Sequence, residues 1–155
     1  MVCFRLTLAV LTLPWLACAG AVHAGDMIAG PVSATIVRVV DGDTLLVDAT
    51  PWPQQTIEVY VRLRGIDAPE LHARCMAVRE AAERAQSALE EMIEADRPIQ
   101  LSHISGDKYF GRILADVTLS NGRNPAQDLL AAGYARAYDG GRKPPVDCTA
   151  TGAVE

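Results

Sequence analysis

Basic charge is scarce in this chain. Its 155 residues carry 14 Lys and Arg against 19 Asp and Glu, a formal net charge of −5. A strongly basic surface is excluded, and with it the binding of a polyanion by bulk charge alone. A local basic site that works beside a bound cation stays open. Histidine is scarce too, and His72 and His103 show no zinc-ligand spacing, which excludes a structural zinc site. Internal repeats and low-complexity tracts are absent, which excludes a repeat architecture.

Long apolar stretches are also lacking after the first one. Arg5 is the only charge before an apolar run from Leu6 to Val22, which ends in Val22-His23-Ala24. This pattern predicts a secretory signal peptide over 1–24, cleaved after Ala24. Pro14 and the short apolar core argue against an uncleaved membrane anchor. Trp15-Leu16-Ala17 is a poor lipobox, which argues against lipidation at Cys18. The expected organisation is a leader (1–24), an N-terminal tail (25–31), one domain (32–148) and a C-terminal tail (149–155). About 131 residues remain after the leader, enough for one compact domain and too few for two. The expected location is secreted or periplasmic, as a monomer with no stable membrane association after cleavage.

Of four cysteines, Cys3 and Cys18 leave with the leader, and Cys75 and Cys148 stay. Two cysteines in an exported chain predict one disulfide. A pair of free thiols is the alternative.

Ser33 to Val40 is rich in β-branched residues and reads as a strand. Asp41-Gly42-Asp43 is a tight-turn signal, and Thr44 to Asp48 reads as the returning strand. Thr50 to Gln55 reads as a proline-punctuated loop. Thr56 to Ile66 is the longest strand candidate, stopped by Pro69. Ile57, Val59, Val61 and Leu63 fall on one face; Glu58, Tyr60, Arg62 and Arg64 fall on the other. From Met76 to Ala95 the apolar period becomes 3.6, which predicts a helix. Strands are predicted over Ile99 to Ile104 and Arg112 to Leu119, around a polar loop from Gly106 to Gly111. Asn124 caps a second helix with Pro125 at its first position, and Gly133 ends it. Tyr134 to Tyr138 reads as a last extended piece. Three strands, a helix, two strands and a helix predict an α+β fold. Its core is a five-stranded OB-fold β-barrel, with one helix after strand 3 and another after strand 5.

Chemistry concentrates in two runs. The first is Val39-Val40-Asp41-Gly42-Asp43-Thr44, and the second is Val61-Arg62-Leu63-Arg64-Gly65-Ile66-Asp67-Ala68-Pro69-Glu70. Each alone has an ordinary structural reading, as a hairpin turn or a proline loop. Together they place carboxylates at the ends of two strands, with arginines just upstream of the second group. Carboxylates gather a hard cation, arginines grip a phosphate, and a spare carboxylate can handle a proton.

The order of these motifs resembles the staphylococcal nuclease (thermonuclease) family, from about Ser33 to Tyr138. The family's D-G-D-T turn is matched by Asp41 to Thr44. Its strand arginine, five residues ahead of D-x-P-E, is matched by Arg62 and Asp67-Ala68-Pro69-Glu70. Its D-K-Y-G-R motif is matched by Asp107-Lys108-Tyr109 and Gly111-Arg112, and Leu129 to Ala135 is similar to its helix ending in G-x-A. The resemblance implies Ca²⁺ held by the carboxylates of Asp43 and Asp67 and by the main-chain carbonyl of Ala68. It implies Glu70 as the group that orients or deprotonates water, and Arg62 and Arg112 as phosphate ligands. Asp41 would support the metal ligands from outside. It also implies cleavage on the 5′-oxygen side, leaving 3′-phosphate ends.

Some positions depart from that pattern. Ala68 stands where the archetype has a threonine, which a carbonyl ligand tolerates. Phe110 is an extra residue inside D-K-Y-G-R and bears on any role of Lys108 and Tyr109. The archetype's long C-terminal helix has no counterpart, and a Cys75–Cys148 bridge would replace its clasp. Of the base-stacking tyrosines, only Tyr138 has a loose match. The expectation is an exported Ca²⁺-dependent nuclease with DNA, RNA or both as substrate. Its rivals are a catalytically silent OB-fold binding module and a structural envelope protein.

Overall fold

The computed structural model describes residues 27–93, 98–141, 143 and 148. The expected leader (1–24) and C-terminal tail (149–155) lie outside them. Five strands close a barrel in the order Val32–Asp41, Thr44–Trp52, Gln55–Leu63, Arg112–Thr118 and Pro98–Gly106. β1 (Val32–Asp41), β2 (Thr44–Trp52) and β3 (Gln55–Leu63) form two successive antiparallel hairpins. β5 (Pro98–Gly106) and β6 (Arg112–Thr118) form a third hairpin. Closure needs β6 to lie parallel to β3, with Arg62 beside Leu114, and β5 antiparallel to β1. This is the five-stranded OB-type barrel that the pattern of elements predicts.

The alternating residues of β3 meet the core only from its middle onward. Val61 and Leu63 are buried, whereas Ile57 is exposed beyond the end of the barrel. Leu45, Val47, Leu101 and Val117 complete the inner face. Helix α1 (Met76–Met92) lays Ala82, Ala85, Ala88 and Leu89 on the barrel side, a stripe at helical spacing. Helix α2 (Pro125–Ala131) begins where Asn124 accepts hydrogen bonds from the Ala126 and Gln127 amides, with Pro125 at its first position.

The structure differs from the sequence reading in two strands. β2 runs on through Pro51 and Trp52, so the expected loop shrinks to the turn at Pro53 and Gln54. Its register shifts between Ala49 and Trp52, so the N–H that Pro51 lacks interrupts no regular ladder. β3 ends at Leu63 rather than Ile66. Gly65, at φ 84°, turns the chain there, and a two-residue strand β4 (Ile66–Asp67) sets off in a new direction. β4 pairs with β7 (Arg136–Ala137), which places Asp67 opposite Arg136. The stop is therefore Gly65, ahead of Pro69. Cys75 and Cys148 stand with Cα atoms 5.5 Å apart and their sulfurs joined, tying residue 148 to the start of α1. Among the described residues no helix is long and apolar enough to cross a membrane.

Candidate active site

The β1–β2 turn is pressed against the helix layer. A Cβ on Gly42 would lie 2.7 Å from the Ala85 Cβ and 2.8 Å from the Ala68 Cβ. Only glycine lets the turn approach both α1 and the segment after β4 so closely. Asp41 stiffens the turn, because its Oδ1 accepts from the Asp43 amide at 3.0 Å. The Asp43 side chain thereby points inward and is only 3% exposed. Its Oδ2 accepts from the Ala68 amide at 3.0 Å, and its Oδ1 from the Thr44 hydroxyl at 2.9 Å.

Arg62 joins the two acidic runs. Its Nη1 donates to Asp43 Oδ1 at 2.7 Å and its Nη2 to Asp67 Oδ1 at 2.9 Å. A further bond from Nη2 reaches the Ile66 carbonyl at 3.3 Å. Three of the five guanidinium N–H groups are thus engaged, and two are left for another acceptor. Burial works against the Arg62 charge, but Asp43 and Asp67 outweigh it and hold its pKa above the ordinary arginine value.

The two aspartates sit in different electrostatic conditions. Burial pushes the Asp43 carboxyl up to about 6, against the pull of Arg62 and with the help of nearby Asp41. Burial would also raise Asp67, but hydrogen bonds from Lys143 and Arg136 overcome it and hold Asp67 below the usual carboxylate value. Arg136 binds Asp67 Oδ2 through Nη2 at 2.7 Å and Nε at 3.2 Å. Lys143 Nζ lies 2.7 Å from Asp67 Oδ1 and 2.5 Å from Glu70 Oε1.

A cleft of about 1370 Å³ opens above these groups. Asp41, Asp43, Arg62, Ala68, Glu70 and Arg112 line it, and Asp67 is buried beneath, 3% exposed. Arg112 enters from β6. The parallel register sets Tyr60 beside Arg112 and Arg62 beside Leu114, so both arginines project from the same face of the sheet. Asp107 holds the Arg112 Nε at 2.5 Å, and the guanidinium lies 4.7 Å from the centre of the Tyr109 ring. The extra residue Phe110 is taken up at the exposed tip of this turn. The Asp107 amide still reaches the Arg112 carbonyl at 3.2 Å, so the insertion leaves the turn closed and Arg112 at the head of β6.

Arg64, on the same polar face of β3 in the sequence pattern, has other work. It bonds Ser105 Oγ at 2.9 Å, the Leu114 carbonyl at 3.0 Å and the His103 carbonyl, bracing the β5–β6 hairpin. Arg136 and Lys143 are the residues that sequence reasoning missed. No local pattern marks Arg136. For Lys143 one signal existed: it lies five residues before Cys148, as Glu70 lies five before Cys75.

Among the described residues, no three His, Cys, Asp or Glu side chains stand together as a metal cluster. Two do converge, Asp43 and Asp67, through the shared Arg62. The chemistry of this pair fits a hard cation. Its donors are oxygens, and the raised Asp43 carboxyl marks a buried charge short of compensation.

Comparisons with known proteins point to one family. The family model described as staphylococcal nuclease homologue matches residues 60–149. An uncharacterized endonuclease of Escherichia coli is 30% identical over 108 residues, which cover 70% of this chain and 62% of that protein. The chain therefore spans less than two thirds of that relative's length. The family match starts after the Asp41–Asp43 turn and takes in Arg62, Asp67, Glu70 and Arg112. It covers more than half of a chain whose barrel gathers those side chains around one cleft, and on that basis the chain belongs to the staphylococcal nuclease family.

Proposed function

We propose that this protein is an exported, Ca²⁺-dependent nuclease that hydrolyses phosphodiester bonds of DNA, RNA or both. The observation that carries the reading is the meeting of Asp43 and Asp67 on Arg62 below a cleft that also holds Glu70 and Arg112. Asp43, Asp67 and the Ala68 carbonyl would hold the cation. Once bound, Ca²⁺ would supply positive charge to the phosphate oxygens and a site for water. Arg62 is already oriented by two aspartates, so its remaining donors meet a phosphate without further ordering. Arg112 approaches from the same face, steadied by Asp107. Glu70 stands at the cleft and would take the proton of the attacking water. Asp41 acts through the turn, by fixing the Asp43 amide. Family membership and the name of the Escherichia coli relative support the general class.

The test is turnover of single- and double-stranded DNA and of RNA, in Ca²⁺, in Mg²⁺ and in chelator. Activity is expected in Ca²⁺ alone, with Mg²⁺ a poor substitute because it gives up its waters reluctantly. Arg62→Lys and Arg112→Lys keep charge but lose the planar fork. Each should lower kcat by a factor of the order of 10²–10⁴. Glu70→Gln should lower kcat while leaving the affinity for a nucleotide inhibitor nearly unchanged. Full activity in chelator would remove the cation from the mechanism. If all three variants kept kcat within about twofold of the parent, the fold would be serving as a silent binding module.

A further inference from the structure

Asp67 offers two carboxylate oxygens to three cationic neighbours. Arg62 comes from β3 and Arg136 from β7, so both are set by strand pairing. Lys143 lies beyond β7, outside any strand or helix. Its ammonium nonetheless bridges two groups with assigned roles in the proposed mechanism: Asp67 Oδ1 at 2.7 Å and Glu70 Oε1 at 2.5 Å. Burial disfavours the charge on Lys143, but the two carboxylates outweigh it and keep its pKa above the ordinary lysine value.

Covalent connectivity concentrates the ammonium at this spot. Glu70 lies five residues before Cys75, and Lys143 five residues before Cys148. With the two sulfurs joined, Lys143 is a ligand tethered to its own acceptors. Short tethers of this kind give effective concentrations in the millimolar range. A ligand held that way occupies its acceptors even when each ion pair is individually weak.

We infer that Lys143 and a divalent cation compete for Asp67, so that a cation enters this site by displacing the ammonium. The inference rests on the cation site proposed above. A carboxylate oxygen coordinates Ca²⁺ at about 2.3–2.6 Å. An ammonium 2.7 Å from that same oxygen would stand against a dication with which it shares the sign of charge. Oδ1 also accepts from Arg62 at 2.9 Å, so both of its lone pairs are taken and a cation must displace one donor; Arg62 is fixed by strand pairing, whereas Lys143 lies outside any strand. Apparent cation affinity is then lowered by the fraction of molecules in which Lys143 holds Asp67. Release of Lys143 also frees the Glu70 carboxylate, which makes the proposed base available in step with cation binding.

Calorimetric titration of the purified, oxidised protein with Ca²⁺ tests this without reference to turnover. Lys143→Met removes the competitor and keeps much of the side chain's bulk. It should bind Ca²⁺ tighter than the parent by a factor of the order of ten. Lys143→Arg keeps the charge and should stay close to the parent. A second measurement needs no variant. The chain has two lysines, Lys108 and Lys143. Acetylation followed by mass spectrometry should show Lys143 reacting several-fold faster at saturating Ca²⁺, with Lys108 as the internal reference. Ca²⁺ affinity of Lys143→Met within about twofold of the parent, or weaker, overturns the inference. So does a Lys143 acetylation rate unmoved by Ca²⁺. If parent and variant bind Ca²⁺ equally well, the cation site stands and only the competition falls; if neither binds Ca²⁺, both readings fall.

Discussion

Asp43 shows how much a single residue gives up to stand where it does. It is 3% exposed, and burial outweighs its pairing with Arg62. Its carboxyl is harder to ionise in the folded protein than in the unfolded chain. Ionisation therefore costs stability. That cost is absent below about 3.8, grows as pH rises, and is complete above about 6. In chelator, Asp43→Asn should remove this slope and be the more stable protein at pH 8, by an amount of the order of 1–3 kcal/mol. At pH 4 the advantage should vanish. Urea unfolding of parent and variant at pH 4, 6 and 8 measures it; a variant less stable than the parent at pH 8 would show that the Arg62 pair outweighs burial. Asp43, Arg62, Asp67, Glu70 and Arg112 stand out in the sequence only as a set, through the order of their runs and the family that order resembles, since each run alone has an ordinary structural reading. Arg136 and Lys143 do not. The partner of Arg136 lies 69 residues away and nothing near it records that separation; that of Lys143 lies 73 away, marked only by the matched five-residue spacings to the two cysteines.

At the scale of elements, the site depends on two glycines used for different physical reasons. Gly65 adopts φ 84°, and no atom lies within 4 Å of an added Cβ. Its role is conformational: it breaks β3 so that Asp67 turns toward Arg136. Gly42 has no such backbone angle, and its role is steric, with Ala85 and Ala68 at 2.7 and 2.8 Å from an added Cβ. Gly42→Ala must push apart the turn, α1 and the segment carrying Ala68. It should destabilise the protein by about 1–3 kcal/mol, the usual range for overpacking. Ca²⁺ affinity should fall as well, since Asp43 and Ala68 move with the turn. Thermal unfolding and calorimetry of the variant measure both. Unchanged stability would mean that the turn is free to lift off the helix at no cost. The hairpins and both helices could be read from period and caps. The break at Gly65 left only a faint mark, since the alternation lapses after Arg64, with Gly65 on the apolar face and Ile66 on the polar one; the pairing of β4 with β7 is what makes a turn favourable there.

Across the whole molecule, the fold solves a problem of distance. The site candidates come from the β1–β2 turn, β3, β4 and the segment after it, and β6, and barrel closure through the parallel β3–β6 pair brings them to one cleft. A period of two reports which face a residue takes, and says nothing about which strand lies beside it. The barrel is therefore legible only in the order of elements, and the cleft, lined by acidic and basic side chains together, takes Arg62 and Arg112 from strands whose pairing no period records. The Cys75–Cys148 bond acts at the same scale. It joins two points 73 residues apart, and the loop so closed contains α1, β5, β6, α2 and β7. Closing a loop of that size removes a large share of the unfolded chain's freedom, worth about 4 kcal/mol in the chain-entropy model. The native oxidised protein should therefore show no thiol reactive at Cys75 or Cys148 until it is reduced. Reduction, or Cys75→Ser with Cys148→Ser, should lower the unfolding free energy by a few kcal/mol and shift the denaturant midpoint accordingly. Thiol titration before and after reduction, paired with urea unfolding of both forms, decides the matter. Two thiols titrating freely in the native protein would leave the tie between α1 and residue 148 without a bond to make it.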